Sequence, residues 1–282
     1  MNLILQGLDP QRDVIDRIAA IAMPQRVVAI GAHAFRCEAV TLSDQVKANV
    51  EAACQAARLD CCFIAAGLRF ADFKLLAMDM DSTLITIECI DEIADMQGLK
   101  PQVAAITEAA MRGEIEFNES LIRRVALLAG LDASALQRVY DERLQLSPGA
   151  EKMLAAVKAA GLKTLLVSGG FTFFTERIQQ RLGLDVTHAN QLEIVEGKLT
   201  GRVLGEIVNA DVKKQTVQNL CRELGVSTSS AIVMGDGAND LQMMGVAGLS
   251  VAFRAKPVVR AQANVALNFV GLDGILALFA EI

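Results

Sequence analysis

The hydrophobic pattern of the first seventy residues predicts a small α+β unit. Short runs rich in apolar and β-branched residues are typical of strands, and between them apolar residues recur every three or four positions, as in amphipathic helices. The predicted order is strand, helix, strand, strand, helix, strand. The strands are expected at residues 3–8, 27–30, 35–40 and 62–66, and the helices at 11–22 and 44–58.

Beyond residue 70 the pattern changes to near-continuous apolar runs. Strands that are buried on both faces have this composition, and they belong to parallel sheets. A helical pattern follows each run except the last, so we expect a doubly wound, Rossmann-like α/β sheet. Ligands of such sheets bind beyond the carboxyl ends of the strands. The four runs are residues 75–78, 164–167, 231–234 and 249–253.

Residues 88–146 interrupt this alternation, because they show only helical periodicity. We interpret them as a helical cap inserted after the first strand of the sheet. Residues 190–208 look like a short β excursion punctuated by glycines. The expected domains are an N-terminal domain at 1–70, a catalytic core at 71–87 and 147–282, and the cap at 88–146.

Composition and charge narrow the classes of function. The chain has 282 residues, of which 52% are hydrophobic and 21% charged, as in an ordered globular protein. Its net charge of -6 gives no broad positive field, so we expect no nucleic-acid partner. No apolar run reaches the roughly 18–20 residues of a spanning helix, so no membrane role is expected.

Two further features indicate the compartment. The N-terminus lacks the cationic and long apolar segments of a signal peptide, so a cytoplasmic location is expected. The six cysteines show no Cys-x-x-Cys spacing and mostly lie in apolar segments, which favours buried free thiols over disulfides or a metal knuckle.

Acidic residues follow two of the predicted strands. Asp79 and Asp81 end the first strand, and Asp236, Asn239 and Asp240 follow the third. Clusters of carboxylates at strand ends favour a Mg²⁺ site, since this ion prefers oxygen ligands. Taken separately, each cluster is also compatible with a tight turn or a helix N-cap.

The second strand of the core ends in a potential phosphate site. Ser168, Gly169 and Gly170 offer a hydroxyl and bare amides just before a predicted helix. Lys213 begins a later helix and could place a compact cation nearby. A glycine-rich turn without a ligand and a solvated surface lysine are the alternative interpretations.

In this order, these motifs resemble the four motifs of the haloacid dehalogenase superfamily. The resemblance covers residues 72–256. It implies that Asp79 is the nucleophile, that Asp81 is the general acid and base, and that Mg²⁺ is the cofactor. The metal would be held by the side chains of Asp79 and Asp236 and by the backbone carbonyl of Asp81. Because an alkoxide leaving group needs a proton, an acid at position 81 indicates a phosphatase rather than a dehalogenase.

The same resemblance assigns the remaining motif residues to the phosphate. Ser168, the Gly169 amide and Lys213 would bind the transferring phosphoryl oxygens. Asn239 would lie against substrate or phosphate. Asp240 would orient Lys213 or a metal-bound water.

The cap sequence is similar to that of the phosphoserine phosphatase branch of this superfamily. In that branch, Glu88 would pair with the substrate ammonium and Arg124 with its carboxylate, while Met111 and Phe117 would close over the site. The resemblance implies hydrolysis of a small phosphorylated amino acid, O-phospho-L-serine, by way of an aspartyl-phosphate. Without the family pattern, Glu88 and Arg124 would be ordinary surface charges.

Two alternatives remain open. The chain could be a phosphatase of the same superfamily that acts on another small phosphoester. The N-terminal order of strands and helices is that of a ferredoxin-like unit and resembles the ACT-type amino-acid-sensing domains. This unit could therefore serve chiefly as an amino-acid sensor or as an oligomerisation module that forms a homodimer.

Overall fold

The computed structural model describes residues 1–280 and contains two β-sheets. The N-terminal sheet has four antiparallel strands in the order β2-β3-β1-β4, with two helices on one face. This is the predicted succession of elements and a ferredoxin-like arrangement. Its elements are β1 (Asn2–Gln6), α1 (Arg12–Ile21), β2 (Arg26–Ala29), β3 (Ala34–Glu38), α2 (Asp44–Ala57) and β4 (Asp60–Ile64).

Strand β1 of the N-terminal sheet is buried on both faces. Leu3 and Leu5 of β1 pack with residues of α1 and α2, whereas Ile4 points the other way, into the large core cluster that includes Phe70 and Phe279. Because successive strand residues face opposite sides of a sheet, this short apolar strand joins two cores at once. Strand β4 begins at Asp60, two residues earlier than predicted.

The second sheet has seven strands in the order β11-β10-β9-β5-β6-β7-β8. All neighbouring pairs are parallel except β7 and β8. Strands β6, β7 and β8 lie on one side of β5, and β9, β10 and β11 lie on the other. The strand order therefore reverses beside β5. The strands are β5 (Leu75–Met78), β6 (Lys163–Phe171), β7 (Val186–Val195), β8 (Lys198–Leu204), β9 (Ala231–Gly235), β10 (Leu249–Phe253) and β11 (Val265–Leu267).

Helices cover both faces of this sheet. Leu75 and Ala77 of β5 pack with Val217, while Leu76 and Met78 pack on the opposite side. The predicted doubly wound α/β fold is therefore confirmed. The helices of this part are α7 (Ala150–Ala159), α8 (Thr172–Leu182), α9 (Ala210–Glu223), α10 (Leu241–Met244) and α11 (Pro257–Arg260).

Four α-helices stand between β5 and α7 in the chain, as the uninterrupted helical periodicity predicted. Among them, the helix at Phe117–Ala126 packs against the edge strand β8. Backbone hydrogen bonds reinforce this support, for example from the Gly130 amide to the Leu199 carbonyl at 2.8 Å. The helices are α3 (Cys89–Asp95), α4 (Lys100–Met111), α5 (Phe117–Ala126) and α6 (Ser134–Glu142).

Some sequence expectations were incomplete. The β excursion expected at 190–208 starts earlier, because β7 first pairs with β6 and then turns back into β8. The turn is formed by Glu196 and Gly197, which both have positive φ, as in the two-residue turns that match strand twist. No helix was expected after β10, but the short α11 follows it, and β11 was not predicted.

Membrane-spanning helices and disulfides were assessed for the described residues. Residues 1–280 contain no helix that is both long and apolar enough to span a bilayer. All six cysteines are free thiols, and all but the half-buried Cys61 are buried, as expected.

Candidate active site

A cavity of about 810 Å³ lies between the carboxyl ends of the parallel strands and the helices α4 and α5. The core motifs were expected at this edge, because ligands of doubly wound sheets bind beyond the carboxyl ends of the strands. Lys213 and Asp240 stand directly behind it, in contact with each other. The predicted residues that line the cavity are Asp79, Asp81, Glu88, Met111, Phe117, Arg124, Ser168, Gly169, Asp236 and Asn239.

Asp79 occupies the first position after β5 and is buried. Its Oδ1 accepts hydrogen bonds from the Met80 amide at 2.7 Å and from Lys213 Nζ at 2.9 Å. Burial raises the pKa of Asp79, and the carboxylate of Asp240 raises it further, whereas Lys213 opposes both effects. The ammonium group thus holds the Asp79 carboxylate in one orientation and favours its charged, nucleophilic form.

Asp81 follows two residues later and points into the same cavity. Its Oδ1 accepts a hydrogen bond from the Cys89 amide at 3.3 Å, which ties it to the start of α3. Burial, followed by repulsion from Glu88, raises the pKa of Asp81 to about 7. A carboxyl group that titrates near neutrality can both donate and accept a proton.

Asp240 organises the turn after β9. Its Oδ2 accepts hydrogen bonds from the amides of Asp236 and Gly237, and its Oδ1 accepts one from Lys213 Nζ at 2.8 Å. Both oxygens are therefore engaged by the protein. This arrangement fits the predicted role of Asp240 in orienting Lys213.

Asp79, Asp236 and Asp240 each offer a carboxylate oxygen, and these oxygens lie within 4.8 Å of one another. Both oxygens of Asp240 already accept hydrogen bonds, whereas Asp79 and Asp236 each keep one oxygen that accepts none within residues 1–280. Burial, followed by the charge of Asp240, raises the pKa of Asp236 to about 7. Packing carboxylates so closely is unfavourable without a cation, and such a donor set fits a hard divalent ion. The side chain of Asp81 does not belong to this group.

The segment after the central part of β6 is tightly built. The Gly170 amide donates to Ser168 Oγ at 2.8 Å, which leaves the hydroxyl proton of Ser168 available to a ligand. A Cβ atom on Gly170 would lie 2.6 Å from Asp81 Oδ2, so only glycine fits beside this carboxylate. The Gly169 carbonyl accepts a hydrogen bond from Asn190 Nδ2, which anchors the loop to β7.

The charged residues of the cap segment face the cavity from the opposite side. Glu88 accepts a hydrogen bond from Ser82 Oγ at 2.6 Å. Arg124 donates only a long hydrogen bond, 3.4 Å, to the Ser120 carbonyl, and it forms no ion pair with any residue of 1–280. Burial lowers the pKa of Arg124 while Asp91 and Glu88 oppose this shift, so the guanidinium stays charged. A half-buried charged guanidinium without an ion-pair partner is suited to an anionic ligand.

The two predicted lid residues differ in position. Phe117, half-buried, lies on the backbone of Gly169, with its Cζ 3.2 Å from where a Cβ atom there would be. Met111 lines the cavity but remains 65% exposed.

Several residues at the cavity were missed in the sequence analysis, among them Lys256, Asn209 and Asn118. Lys256 lines it, and its amide donates to the Asp236 carbonyl at 3.2 Å. It follows β10, so the rule that polar residues collect at strand ends could have identified it. Asn209 caps α9 and also donates from Nδ2 to Asn118 Oδ1 of α5 at 3.3 Å. The contact between these two asparagines carries no local sequence signal.

Comparisons with known proteins agree with this geometry. Residues 73–248 match the model of the haloacid dehalogenase-like hydrolases. A phosphoserine phosphatase of Polaromonas sp. is 58% identical over 216 residues, covering 75% of this chain and 92% of the relative.

Among solved structures, a HAD family hydrolase from Salmonella enterica serovar Typhi is similar with a TM-score of 0.89 and 33% identity, over 99% of this chain and 98% of that one. A probable phosphoserine phosphatase from Vibrio cholerae gives a TM-score of 0.84 and 35% identity, over 99% of this chain and 86% of that one. The chain therefore belongs to the haloacid dehalogenase-like hydrolases and, within them, to the phosphoserine phosphatase family.

Proposed function

We propose that the chain hydrolyses O-phospho-L-serine to L-serine and inorganic phosphate through a phosphoaspartate on Asp79. The observation that carries this proposal is that two groups of side chains face each other across one cavity. On the core side lie the Lys213-held carboxylate of Asp79 and the neutral-range carboxyl of Asp81. On the opposite side lie one carboxylate, Glu88, and one guanidinium without an ion pair, Arg124. A phosphorylated amino acid presents the complementary groups.

In the first step, a carboxylate oxygen of Asp79 attacks phosphorus and the bond between phosphorus and the seryl oxygen breaks. The electron pair remains on the seryl oxygen, which takes the proton of Asp81. In the second step, water attacks the phosphoaspartate, gives its proton to Asp81 and releases phosphate. Asp79 is thereby restored. A pKa of about 7 lets Asp81 serve in both steps near neutral pH.

The remaining core residues position the phosphoryl group. We assign its oxygens to the Ser168 hydroxyl, the Gly169 amide and Lys213, with Asn239 against the substrate. We propose Mg²⁺ as the cofactor, held by Asp79, Asp236 and the Asp81 carbonyl; when bound, it reduces the repulsion between carboxylate and phosphate.

The cap residues select the substrate. We assign Glu88 to the ammonium and Arg124 to the carboxylate of serine, because a guanidinium can grip a carboxylate through two hydrogen bonds. Phe117 already lies over Gly169, and Met111, still exposed, is assigned to close the entrance.

The first test is phosphate release by the purified chain. O-phospho-L-serine, O-phospho-L-threonine, phosphoethanolamine and a sugar phosphate are compared with and without Mg²⁺. Phosphoserine should be used best, and only with the metal. Asp79→Asn should abolish turnover and keep the fold, whereas Asp141→Asn, a change of an exposed carboxylate on α6, should leave turnover intact. Sizeable residual activity in Asp79→Asn would refute the nucleophile assignment.

The second test concerns selectivity. Arg124→Ala should lower kcat/KM for phosphoserine about 10- to 100-fold, the equivalent of a lost charge-assisted pair, and change that for phosphoethanolamine, which lacks the carboxylate, far less. Arg123→Ala is the matched control, because the neighbouring Arg123 is exposed and paired with Glu119. Equal losses on both substrates would contradict the assignment of Arg124 and would favour a different small phosphoester.

The N-terminal unit is assigned a supporting role. We propose residues 1–70 as an ACT-like domain that binds an amino acid or joins two chains into a homodimer, with the core and cap divided as expected from the sequence and the enzyme in the cytoplasm. Titration of the full chain with L-serine, together with its mass in solution, tests both roles. A monomer that binds no amino acid would reduce the unit to a stabilising one.

A further inference from the structure

A second cleft, of about 520 Å³, lies where the N-terminal unit meets the core. Three arginines line it. Arg58 follows α2 in the N-terminal unit, Arg254 follows β10, and Arg260 ends α11. The cleft shares no lining residue with the catalytic cavity. It is therefore a separate place on the molecule, and its positive charge comes from both units.

None of these three guanidiniums forms an ion pair within residues 1–280. Arg58 and Arg254 lie over the rings of Phe269 and Phe253, with Cζ 5.6 and 5.2 Å from the ring centroids. Arg260 makes only a long hydrogen bond, 3.4 Å, to Asn268 Oδ1. By contrast, Arg12 and Arg17 on the exposed face of α1 each form an ion pair with an aspartate four residues away. The cluster thus concentrates positive charge that the protein itself does not neutralise.

Two carboxylates lie near the cleft in sequence, the exposed Asp9 beside the lining residue Leu8 and the buried Asp60, and neither forms an ion pair with the three arginines. Both oxygens of Asp60 accept hydrogen bonds from the amides of Asn268, Phe269 and Val270, at 2.7 to 3.0 Å. Asp60 is 1% exposed, so its charge faces the interior of the junction. These bonds fix residues 268–270 against the N-terminal unit and hold Asn268 and Phe269 in the wall of the cleft. The cleft is therefore anchored on both sides, and its three guanidiniums outnumber the two nearby carboxylates.

Two of the three arginines also adopt a left-handed backbone conformation. Arg58 and Arg254 both adopt positive φ, 55° and 47°, a region that residues other than glycine seldom occupy. At Arg58 this is the position after a helix where glycine is usual. Two arginines are thus held in unfavourable backbone conformations that direct the chain around one cleft.

We propose that this cleft binds an oxyanion, the phosphate or carboxylate group of a small metabolite. Arginine is the side chain best suited to such groups, because its planar fork donates two parallel hydrogen bonds to two oxygens. The whole chain carries a net charge of -6, so anions are not attracted to its surface in general. The inference rests on the junction of the two units and does not depend on the proposed reaction.

The site has a direct connection to the catalytic cavity. Arg254 and Lys256 belong to the same loop, and the Lys256 amide donates to the Asp236 carbonyl. The Arg254 amide donates to the Leu267 carbonyl at 2.7 Å, which ties the other end of the loop to β11. An anion that binds Arg254 therefore acts on a loop whose far end lies in the active site.

The test is the thermal unfolding midpoint of the full chain, measured against inorganic phosphate, malonate and sodium chloride at constant ionic strength. At ten times the dissociation constant, a specific anion should raise the midpoint by about 2–3 °C. The double variant Arg58→Gln/Arg260→Gln should lose the rise that is specific to the cleft. Arg17→Gln, the same chemical change at an exposed, ion-paired residue of α1, should keep it.

The probes separate the sources of the ligand. A cleft-specific rise with phosphate alone indicates a phosphorylated ligand, with malonate alone a carboxylate ligand, and with both a general oxyanion site; each supports the proposal. Because phosphate can also bind the catalytic cavity, equilibrium dialysis with radiolabelled phosphate counts bound ions, and the double variant should bind one fewer per chain. The proposal is overturned if both phosphate and malonate act equally on the double variant and on Arg17→Gln. A second double variant, Arg58→Lys/Arg260→Lys, keeps the positive charge. It checks that a loss of the anion-specific rise in the glutamine variant is not caused by a folding defect.

Discussion

The ammonium group of Lys213 lies 2.9 Å from Oδ1 of Asp79, and both side chains are buried at the carboxyl edge of the sheet. Asp240 accepts a second hydrogen bond from the same nitrogen at 2.8 Å. One cation thus neutralises part of a cluster of three carboxylates, and the remaining negative charge is what a metal ion would offset. The stability of the fold and the reactivity of Asp79 therefore depend on the same contact with Lys213.

Replacing this lysine should damage both properties. Lys213→Met removes the charge that compensates Asp79 and Asp240, and breaking a buried pair by removing one partner costs about 3–5 kcal/mol. Urea unfolding should show this loss, and phosphate release should disappear. Adding Asp79→Asn to Lys213→Met should recover part of the stability without restoring activity. A double variant no more stable than Lys213→Met would show that the two charges do not interact.

The acidic cluster should also make stability depend on pH and on metal. The pKa values of Asp81 and Asp236 are raised to about 7, from about 4 in an unfolded chain. Between these values the folded state binds more protons than the unfolded state, so the free energy of unfolding should fall as pH rises from 4 to 7. Mg²⁺ favours the ionised carboxylates and should flatten this decline.

The measurement is urea unfolding at pH 5 and pH 8, in EDTA and in Mg²⁺. Asp236→Asn should show a smaller loss between the two pH values in EDTA than the unchanged chain, because one titrating group is gone. A decline of equal size in the variant, or one that Mg²⁺ leaves unaltered, would mean that other groups cause it.

Much of the site could be predicted because parallel sheets align the ends of their strands. Asp79, Ser168 and Asp236 are far apart in sequence, yet each follows a buried apolar run, and the topology brings all three to one edge. This prediction does not require the conformation of the loops that connect the strands. The hydrophobic pattern also predicted the ferredoxin-like order of the N-terminal unit, since each element there has a clear period.

Features that depend on how separate parts of the chain pack could not be predicted. Strand β11 has only three residues, too few for a pattern, and it exists because β10 offers it an edge. Asp60 begins a strand as an isolated acid, and only the structure shows three backbone amides of the core pointing at it. The contact between Asn118 and Asn209 likewise depends on where the cap comes to rest.

Two adjacent glycines should respond differently to alanine. A Cβ atom on Gly170 would lie 2.6 Å from Asp81 Oδ2, so the catalytic carboxyl must move; a displacement near 1 Å can lower the rate about 100-fold. A Cβ atom on Gly169 would be tight only against Phe117 Cζ, at 3.2 Å, with the Val208 carbonyl oxygen at an ordinary 3.6 Å, and a small shift of that ring accommodates it. Steady-state kinetics should therefore show a large fall in kcat for Gly170→Ala and mainly a raised KM for Gly169→Ala. Similar kcat values in the two variants would show that the carboxyl does not depend on this contact.

The hydrogen bond between Asn118 and Asn209 should help to keep the cap closed over the core. Asn209 has a second task, because its Oδ1 accepts hydrogen bonds from the amides of Asp211 and Val212, both at 3.1 Å, and so caps α9. Asn118→Ala removes only the bridge, so it should lower kcat/KM about 2- to 10-fold and the free energy of unfolding by at most about 0.5–1.5 kcal/mol. Asn209→Ala removes the bridge and the cap, so it should lower the free energy of unfolding by about 1 kcal/mol more than Asn118→Ala does. If Asn118→Ala destabilises the chain as much as Asn209→Ala, the bridge holds the fold together rather than the closed cap, and the kinetic effect must have another origin.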